Sequence, residues 1–284
     1  MPDNPQAAPH HEFALPGHDV LAITGRDAVA FAQAQFMNDV AAMGDGQWQW
    51  NGWLTPKGRV VALFALLRHD ADTLWMLLPD ASAATLATAL QRFVFRSKVT
   101  LSPVDGCVVG NFGEPQLARG NTFARFEEGE IELDMSGDGG QRSLEISWVP
   151  GYQNPEAVAR WDAADLAHGL PRLPESQAGQ WTPQQLSLDR LRAYSVKKGC
   201  YPGQEIVART HFLGQAKRGL ALFDATPPPA AGCEVGDGER NLGTVVAAAG
   251  DACLAVLPLD REPTPLQAGG IALRERPLLG GLAR

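Results

Sequence analysis

The segment Lys197-Lys198-Gly199-Cys200-Tyr201-Pro202-Gly203-Gln204-Glu205 sets one thiol beside two ammonium groups. Its Tyr-Pro-Gly-Gln stretch is typical of a type II turn, in which Pro202 fixes φ and Gly203 supplies the positive φ that follows. Neighbouring cations favour a thiolate over a thiol. We therefore predict a functional Cys200 near the tip of the loop, with Lys198 as its catalytic neighbour. The alternative is a buried structural cysteine, since free cysteine is among the most buried residue types.

Composition limits the partners that the chain can take. It has 284 residues and a formal net charge of -8, which argues against a broad surface for nucleic acid or anionic membrane. A local basic pocket for a small anion is compatible with that charge. We expect no direct nucleic-acid partner and no membrane partner, because no stretch is apolar enough to span a bilayer.

The cysteines and histidines predict no metal site. The four cysteines are scattered without a C-x-x-C pair, and none of the six histidines forms a metal-like pair. Residues 1–12 lack the basic start and apolar run of a secretory signal. We therefore expect a chain with reduced thiols in the cytoplasm.

The pattern of apolar residues predicts mixed α+β units followed by a β module. Asn154-Pro155-Glu156 is a strong helix start, and that helix should run to about Ala167, with Gly169 as its left-handed stop. After Arg218, short apolar runs alternate with turns rich in Pro and Gly, which is typical of a small barrel or sandwich.

The segment from Lys198 to Glu205 resembles the signature of the YgfZ-type folate-binding proteins. These form the iron–sulfur cluster maturation branch of the glycine-cleavage T-protein (aminomethyltransferase) superfamily. The likeness continues in the same order along most of the chain. Its further blocks are Ile23-Thr24-Gly25, Asn38-Asp39-Val40, Leu54 to Arg59, Gly169-Leu170-Pro171, Gln180 to Gln184 and Gly214 to Arg218.

This resemblance implies two ferredoxin-like α+β domains plus a C-terminal all-β barrel, arranged as a three-domain ring around a central channel. The implied domains are residues 1–50 with 141–215 for folate, residues 51–140 for the second α+β unit, and residues 216–284 for the barrel. It also implies tetrahydrofolate in the channel, and a monomer that assembles or repairs iron–sulfur clusters. The implied partners are folate and iron–sulfur client proteins, including enzymes that modify tRNA.

The branch of the superfamily matters for the chemistry. True aminomethyltransferases resemble this chain around Leu54 to Phe64 but carry two adjacent aspartates in that strand, where this chain has Ala62 and Leu63. An apolar side chain offers neither charge nor acceptor to a leaving amine. Ordinary aminomethyl transfer is therefore not expected, and whether the chain is an enzyme is left open.

The resemblance also assigns folate contacts. Trp161 matches a folate-contacting tryptophan, whose indole can stack on the pterin or aminobenzoyl ring. The second tryptophan of the family is Val20 here, which puts the folate contacts there in doubt. The remaining assigned contacts belong to the signature and its flank: Tyr201, Gln204, Glu205 and Arg209. The alternatives are a core tryptophan, polar groups that satisfy a tight turn, and a solvated charged surface.

Three other functions are compatible with parts of the pattern. The first is a folate-dependent aminomethyltransferase that recruits another acid. The second is a non-catalytic folate sensor or scaffold that docks cluster-carrying partners. The third, a folate-dependent tRNA methylase of unrelated fold, is disfavoured by the acidic charge and the lack of a dinucleotide fingerprint.

Overall fold

A computed structural model describes residues 12–214 and 216–284. Residues 1–12, which lack the pattern of a secretory signal, lie outside the described residues except for Glu12. The four helices found in the described part are α1 (Ala28–Gln35), α2 (Ala83–Gln91), α3 (Pro155–Ala167) and α4 (Gln204–Leu213). Its strands are β1 (Phe13–Ala14), β2 (Asp19–Thr24), β3 (Gln47–Leu54), β4 (Val60–Arg68), β5 (Thr73–Leu78), β6 (Thr100–Pro103), β7 (Cys107–Asn111), β8 (Ala124–Arg125), β9 (Ile131–Asp134), β10 (Ser143–Ser147), β11 (Arg218–Asp224), β12 (Glu234–Gly236), β13 (Asn241–Ala249), β14 (Ala252–Pro258), β15 (Leu266–Ala268) and β16 (Ile271–Arg276).

The first sheet has the antiparallel order β3-β4-β5-β2-β6, with α1 and α2 on one face. Strand β4 is apolar along almost its whole length because both of its faces are buried. Ala62, Phe64 and Leu66 pack against the helices, whereas Leu63 and Ala65 point to the opposite face and join the larger core. The sheet therefore lies between its own helices and the rest of the molecule.

The second sheet has the order β1-β7-β10-β9-β8 and packs with α3. The Asn154 side chain accepts a hydrogen bond of 3.1 Å from the Ala157 amide, and Pro155 occupies the first turn. Gly169 has a φ of 72°, which is the left-handed conformation expected of a helix stop. The predicted start and end of this helix are confirmed.

The C-terminal strands close into a six-stranded barrel with the order β11-β14-β13-β12-β15-β16. After β16 the chain leaves the barrel and returns to the two sheets. There the Leu279 amide donates to the Ala167 carbonyl at 2.8 Å, and the Trp50 indole nitrogen donates to the Leu282 carbonyl at 2.8 Å. The last residues thus connect the barrel to both α+β units, and all three units share one apolar core.

The predicted fold class, two α+β units and a C-terminal barrel, is confirmed, but the predicted division between the first two units is not what the sheets show. The boundary between residues 50 and 51 falls inside β3. Strand β2, assigned to the first unit, pairs with β5 and β6 of the second. The first sheet is built from residues 19–103, and the second from residues 13–14 and 107–147. Strand pairing over long sequence distances, which local patterns do not report, decides this grouping.

A buried ion network ties the two α+β units together. Arg172, after α3, contacts Asp80 at 2.8 Å and also pairs with Asp162. Arg142 lies 2.7 Å from Asp165, which is 4.0 Å from Arg172. Burial raises the pKa of Asp162 to about 6, against the opposing pull of the Arg172 charge. Because Asp80 follows β5, this network fixes the end of that strand against α3.

Candidate functional site

Cys200 lies exposed on the turn that the sequence predicts. The Gln204 amide donates to the Tyr201 carbonyl at 3.1 Å, and Gly203 has φ 80° and ψ 1°. These are the values of the third residue of a type II turn. Gly203 is also the residue immediately before α4, so the turn leads directly into that helix.

The turn is held against the β3–β4 hairpin by a close contact between two glycines. A Cβ on Gly203 would lie 2.6 Å from the Thr55 carbonyl oxygen and 2.7 Å from the Gly58 Cα. A Cβ on Gly58 would in turn lie 2.9 Å from the Cβ of Ile206. Both glycines also have positive φ. A side chain at either position is therefore disfavoured by the backbone conformation as well as by the close contact. The signature segment and the block from Leu54 to Arg59 therefore form one rigid unit.

Lys198 is buried, and its ammonium group is bonded to backbone at the end of α1. It donates to the carbonyl oxygens of Gln33 at 2.5 Å, Phe36 at 2.5 Å and Asn38 at 3.0 Å. An ammonium group has three hydrogens, and all three are used here. Burial lowers its pKa to about 8, so it is still mainly protonated at neutral pH. The catalytic role of Lys198 beside Cys200 therefore stays a prediction, and these bonds do not support it, because the end of α1 takes the whole hydrogen-bonding capacity of the ammonium group.

Two assigned folate contacts in the signature make local contacts in the structure. Tyr201 is buried, its hydroxyl donates to the Ser195 carbonyl at 3.2 Å, and the Lys198 Nζ lies 4.9 Å from its ring centre. The Gln204 side-chain amide donates to the Lys198 carbonyl at 3.2 Å. Both side chains thus support the turn, and their contact with folate stays a prediction.

Glu205 and Arg209 lie on the outer side of α4, where both are exposed. They are one helical turn apart, so they occupy the same face of the helix. Both are available to a ligand or partner that approaches from solvent.

Trp161 lies in the core of the second unit and is 0% exposed. Its ring contacts Phe13 and Phe112 edge to face, with centroids 5.9 and 5.8 Å away, and the Arg142 guanidinium lies 4.6 Å from its centre. Val20 belongs to the same core. Neither side chain faces an open channel, so their contact with folate stays a prediction that requires the core to open.

Unpaired polar atoms mark the space beside Trp161. The indole Nε1 of Trp161 and the Nδ1 of His18 are buried without hydrogen-bond partners. Both residues line a cavity of about 10 Å³. That volume holds about one water molecule and is too small for a pterin. Burial lowers the pKa of His18 to about 3, so this imidazole is neutral at physiological pH.

A larger cavity of about 280 Å³ opens beside the start of β4, and we call it the β4 slot. Its walls come from β3, β4, the start of α2 and residues 173–178: they include Trp53, Val61, Ala62, Leu63, Asp80, Ser82, Leu86 and Glu175. The slot exists because β5 pairs with β4 only from Ala65 onward. Its volume is close to the lower end of ordinary ligand pockets, about 300 Å³.

The polar groups of the β4 slot suit a flat heteroaromatic ring. Trp53 contributes an indole whose Nε1 is buried without a partner. Asp80 contributes a carboxylate, which accepts from Arg172 at 2.8 Å and from the Leu173 amide at 2.9 Å. Burial raises the pKa of Asp80 despite the opposing Arg172 charge. An unpaired donor, a carboxylate and apolar walls thus surround one volume.

Trp53 was missed by the sequence analysis, although the spacing carries a signal. Trp48 and Trp50 are two residues apart and share one face of β3, whereas Trp53 is three residues further on and therefore points to the other face. Trp48 and Trp50 belong to the central core, and Trp53 packs beside the helices of the first sheet. The odd spacing between Trp50 and Trp53 thus indicates that Trp53 faces the opposite side of the sheet from the other two indoles.

The cysteine turn and the β4 slot lie at the same end of one strand. The turn contacts Gly58, and Val61 of the slot follows only three residues later. Three extended residues span about 10 Å. Ala62 and Leu63 line the slot, so β4 supplies it with no carboxylate.

Two kinds of site are absent from the residues that the structure describes. No group of three or more His, Cys, Asp or Glu side chains is arranged to hold a metal ion. No helix in that part of the chain is long and apolar enough to cross a membrane.

Comparisons with known proteins agree with this architecture. Residues 210–277 match the family model of the CAF17 C-terminal β-barrel domain. The tRNA-modifying protein YgfZ of Cronobacter sakazakii is 31% identical over 256 residues, which cover 81% of this chain and 77% of that protein. The protein of the same name from Vibrio vulnificus is 28% identical, covering 86% and 83%. The crystal structure of the glycine cleavage system aminomethyltransferase T from Bartonella henselae aligns with a TM-score of 0.74 and 14% identity, covering 95% and 85%.

The contacts of Lys198 predict that its substitution lowers the stability of the folded chain. We expect Lys198→Met to lower the free energy of unfolding by about 1–3 kcal/mol or more, because carbonyl groups at the end of α1 lose a buried donor. Urea unfolding followed by circular dichroism measures this change. Lys197→Met, at the exposed neighbouring position, is the matched control and should leave stability unchanged. Equal stability of the two variants would contradict the structural role.

Proposed function

The chain belongs to the YgfZ family, and we propose that it binds tetrahydrofolate and supports the assembly or repair of iron–sulfur clusters in client enzymes. The clients include enzymes that modify tRNA. The observation that carries this proposal is the pairing of an exposed, rigidly held Cys200 with a ring-sized slot at the same end of β4. Action in the cytoplasm as a monomer, with folate and client proteins as its partners, belongs to the same proposal.

We propose that the folate ring enters the β4 slot rather than the sealed space beside Trp161. A pterin has a flat aromatic face and an edge of N–H donors and acceptors. Trp53 offers a stacking surface and a free N–H, and Asp80 offers an acceptor for the ring edge. When bound, the reduced folate supplies a carrier for a one-carbon group. The protein positions that ring and excludes water from its face.

Aminomethyl transfer is disfavoured by the same slot. The acid pair of the true transferases corresponds to Ala62 and Leu63, which line the slot with apolar surface. Asp80 is close, but its charge is already paired with Arg172 at 2.8 Å. A folate-dependent transferase would need Asp80 or Glu175 to replace the missing acid. Ammonia release from an aminomethylated carrier protein with tetrahydrofolate would support that alternative.

The proposed role of Cys200 rests on its exposure and its fixed position. A thiolate is a soft ligand and a nucleophile, and its orientation here costs little because the turn is already rigid. Exposed Glu205 and Arg209 on the adjoining helix are suited to meet a client protein or the folate tail. A non-catalytic scaffold would use the same surface without needing the sulfur.

The folate assignment predicts a specific pattern of binding. The parent chain should release or absorb heat on calorimetric titration with tetrahydrofolate, and Trp53→Phe should weaken binding by the net contribution of one hydrogen bond, about 0.5–1.5 kcal/mol. Trp148→Phe, at a surface position that is 45% exposed, is the control. Absence of heat with the parent chain would contradict the assignment of folate as a ligand. Weaker binding by Trp161→Phe, with unchanged binding by Trp53→Phe, would place the folate ring beside Trp161 instead of in the β4 slot.

The role of the sulfur is tested in cells that lack the native protein. We expect Cys200→Ala to fold normally but to restore little activity of iron–sulfur enzymes, because the turn stays intact while its sulfur is lost. Cys233→Ala, which changes a half-buried cysteine of the barrel, should restore activity fully. Full rescue by Cys200→Ala would exclude the thiol from the mechanism and favour the scaffold.

A further inference from the structure

A second large cavity lies between the end of α4, the segment before the cysteine turn, and the barrel. Its volume is about 450 Å³, within the usual range of small-molecule pockets. We call it the barrel pocket. The residues that matter for its chemistry are Gln184, Asp189, Arg190, Tyr194, His211 and Arg218. Two blocks of the family resemblance, those ending at Gln184 and at Arg218, thus meet at one pocket.

Gln184 lines this pocket and carries an unused acceptor. Its side chain is 7% exposed, and its Nε2 donates to the Val207 carbonyl at 2.9 Å. Because a carbonyl can only accept, this bond fixes which end of the amide is the nitrogen. The Oε1 is therefore turned away from Val207, and it is buried without a partner. A buried acceptor left unpaired is costly, so a ligand with an N–H donor would relieve it.

The mouth of the barrel pocket favours anions. Arg190 uses one N–H on the Leu279 carbonyl at 2.7 Å, and Arg218 uses one on the Leu242 carbonyl at 2.8 Å. A guanidinium has five donors, so each keeps free N–H groups for a ligand. Residues 189–218 contain seven Lys or Arg and two acids, a net charge of +5 in a chain of -8. The pocket therefore lies in the basic part of an acidic protein.

An aromatic ring and a second acceptor also line the barrel pocket. Tyr194 lines the pocket, and burial together with the nearby Asp189 charge raises its pKa to about 12. Its phenol thus stays neutral and able to donate. The Asp189 carboxylate is a further acceptor beside Gln184 in the lining. Acceptors, guanidinium groups and an aromatic ring in one lining suit a ligand with a donor-bearing ring and an anionic end.

We propose that the barrel pocket binds a nucleoside monophosphate group, either as a free nucleotide or as one residue of an RNA chain. The phosphate pairs with Arg190 and Arg218, and the N–H edge of the base donates to Gln184 and Asp189. A simple inorganic anion would leave the Gln184 acceptor unpaired and most of the volume unfilled. This site is separate from the β4 slot, so it stands or falls independently of the folate proposal.

The test uses the full-length chain and calorimetric titration with guanosine monophosphate, whose base edge carries adjacent N–H donors. Ribose 5-phosphate is the matched probe, because it keeps the phosphate and lacks the base. We expect the parent to bind guanosine monophosphate at least about tenfold more tightly than ribose 5-phosphate, a difference of about 1.4 kcal/mol. Gln184→Met should remove that difference, and Arg218→Gln should weaken both probes.

A variant at a distant arginine and a check of folding serve as controls for these titrations. Arg240→Gln, at an exposed arginine of the barrel, should change neither titration, and circular dichroism checks that every variant is folded. Much tighter binding of a single-stranded oligoribonucleotide than of the free nucleotide would identify RNA as the source of the group. Three outcomes would overturn the proposal. The parent could bind guanosine monophosphate and ribose 5-phosphate equally, or it could bind neither the free nucleotide nor the oligoribonucleotide. Tetrahydrofolate could also displace the nucleotide, with the binding of both ligands lost in Gln184→Met.

Discussion

One ammonium group holds together two parts of the chain that are about 160 residues apart. Lys198 donates to three carbonyl oxygens at the end of α1, where no further helical turn supplies amide donors. Asn38 strengthens the same junction by donating to the Arg192 carbonyl at 2.7 Å, and the Ser195 amide donates to the Met37 carbonyl at 2.9 Å. The position of the cysteine turn depends on this junction, because Arg192, Ser195 and Lys198, which precede it, are all bonded there.

The opposite side of the turn is fixed by backbone contact. Gly203 and Gly58 approach so closely that neither tolerates a Cβ, and this contact holds the backbone of the cysteine turn against the loop before β4. The same strand then lines the slot with Ala62 and Leu63. The cysteine turn and the slot are therefore both supported by the first residues of β4 and the loop before it. That combination favours handling of a bound folate or a client over ordinary aminomethyl transfer.

Local features of the site were predictable from sequence, and long-range ones were not. The type II turn at Tyr201 to Gln204 and the helix that starts at Asn154 follow from residues that are adjacent in the chain, and the structure has both. The role of Lys198 was not predictable, because its acceptors lie at Gln33, Phe36 and Asn38 and are backbone atoms without a sequence signature. A lysine beside a cysteine looks like an activating group until its partners are known.

The same reason explains why the grouping of strands into sheets and the surroundings of the tryptophans were not predictable. The pairing of β2 with β5 and β6 joins segments that the resemblance had separated, and only the sheet reports it. Trp161 was expected to face a ligand, but its burial depends on Phe13, Phe112 and Arg142, which come from three other parts of the chain. Trp53 was not singled out from the sequence, and the divergence of β5 from β4 leaves it beside a cavity.

If the Cys200 thiol and a folate-binding slot lie at the same end of β4, folate bound in the slot should change the reactivity of the thiol. The most direct measurement is the rate at which iodoacetamide alkylates Cys200, followed by mass spectrometry with and without saturating tetrahydrofolate. Cys233 in the same chain serves as the internal reference. The account predicts that folate slows alkylation of Cys200 several-fold and leaves Cys233 unchanged. An unchanged rate at Cys200, with folate binding demonstrated in the same sample, would contradict it.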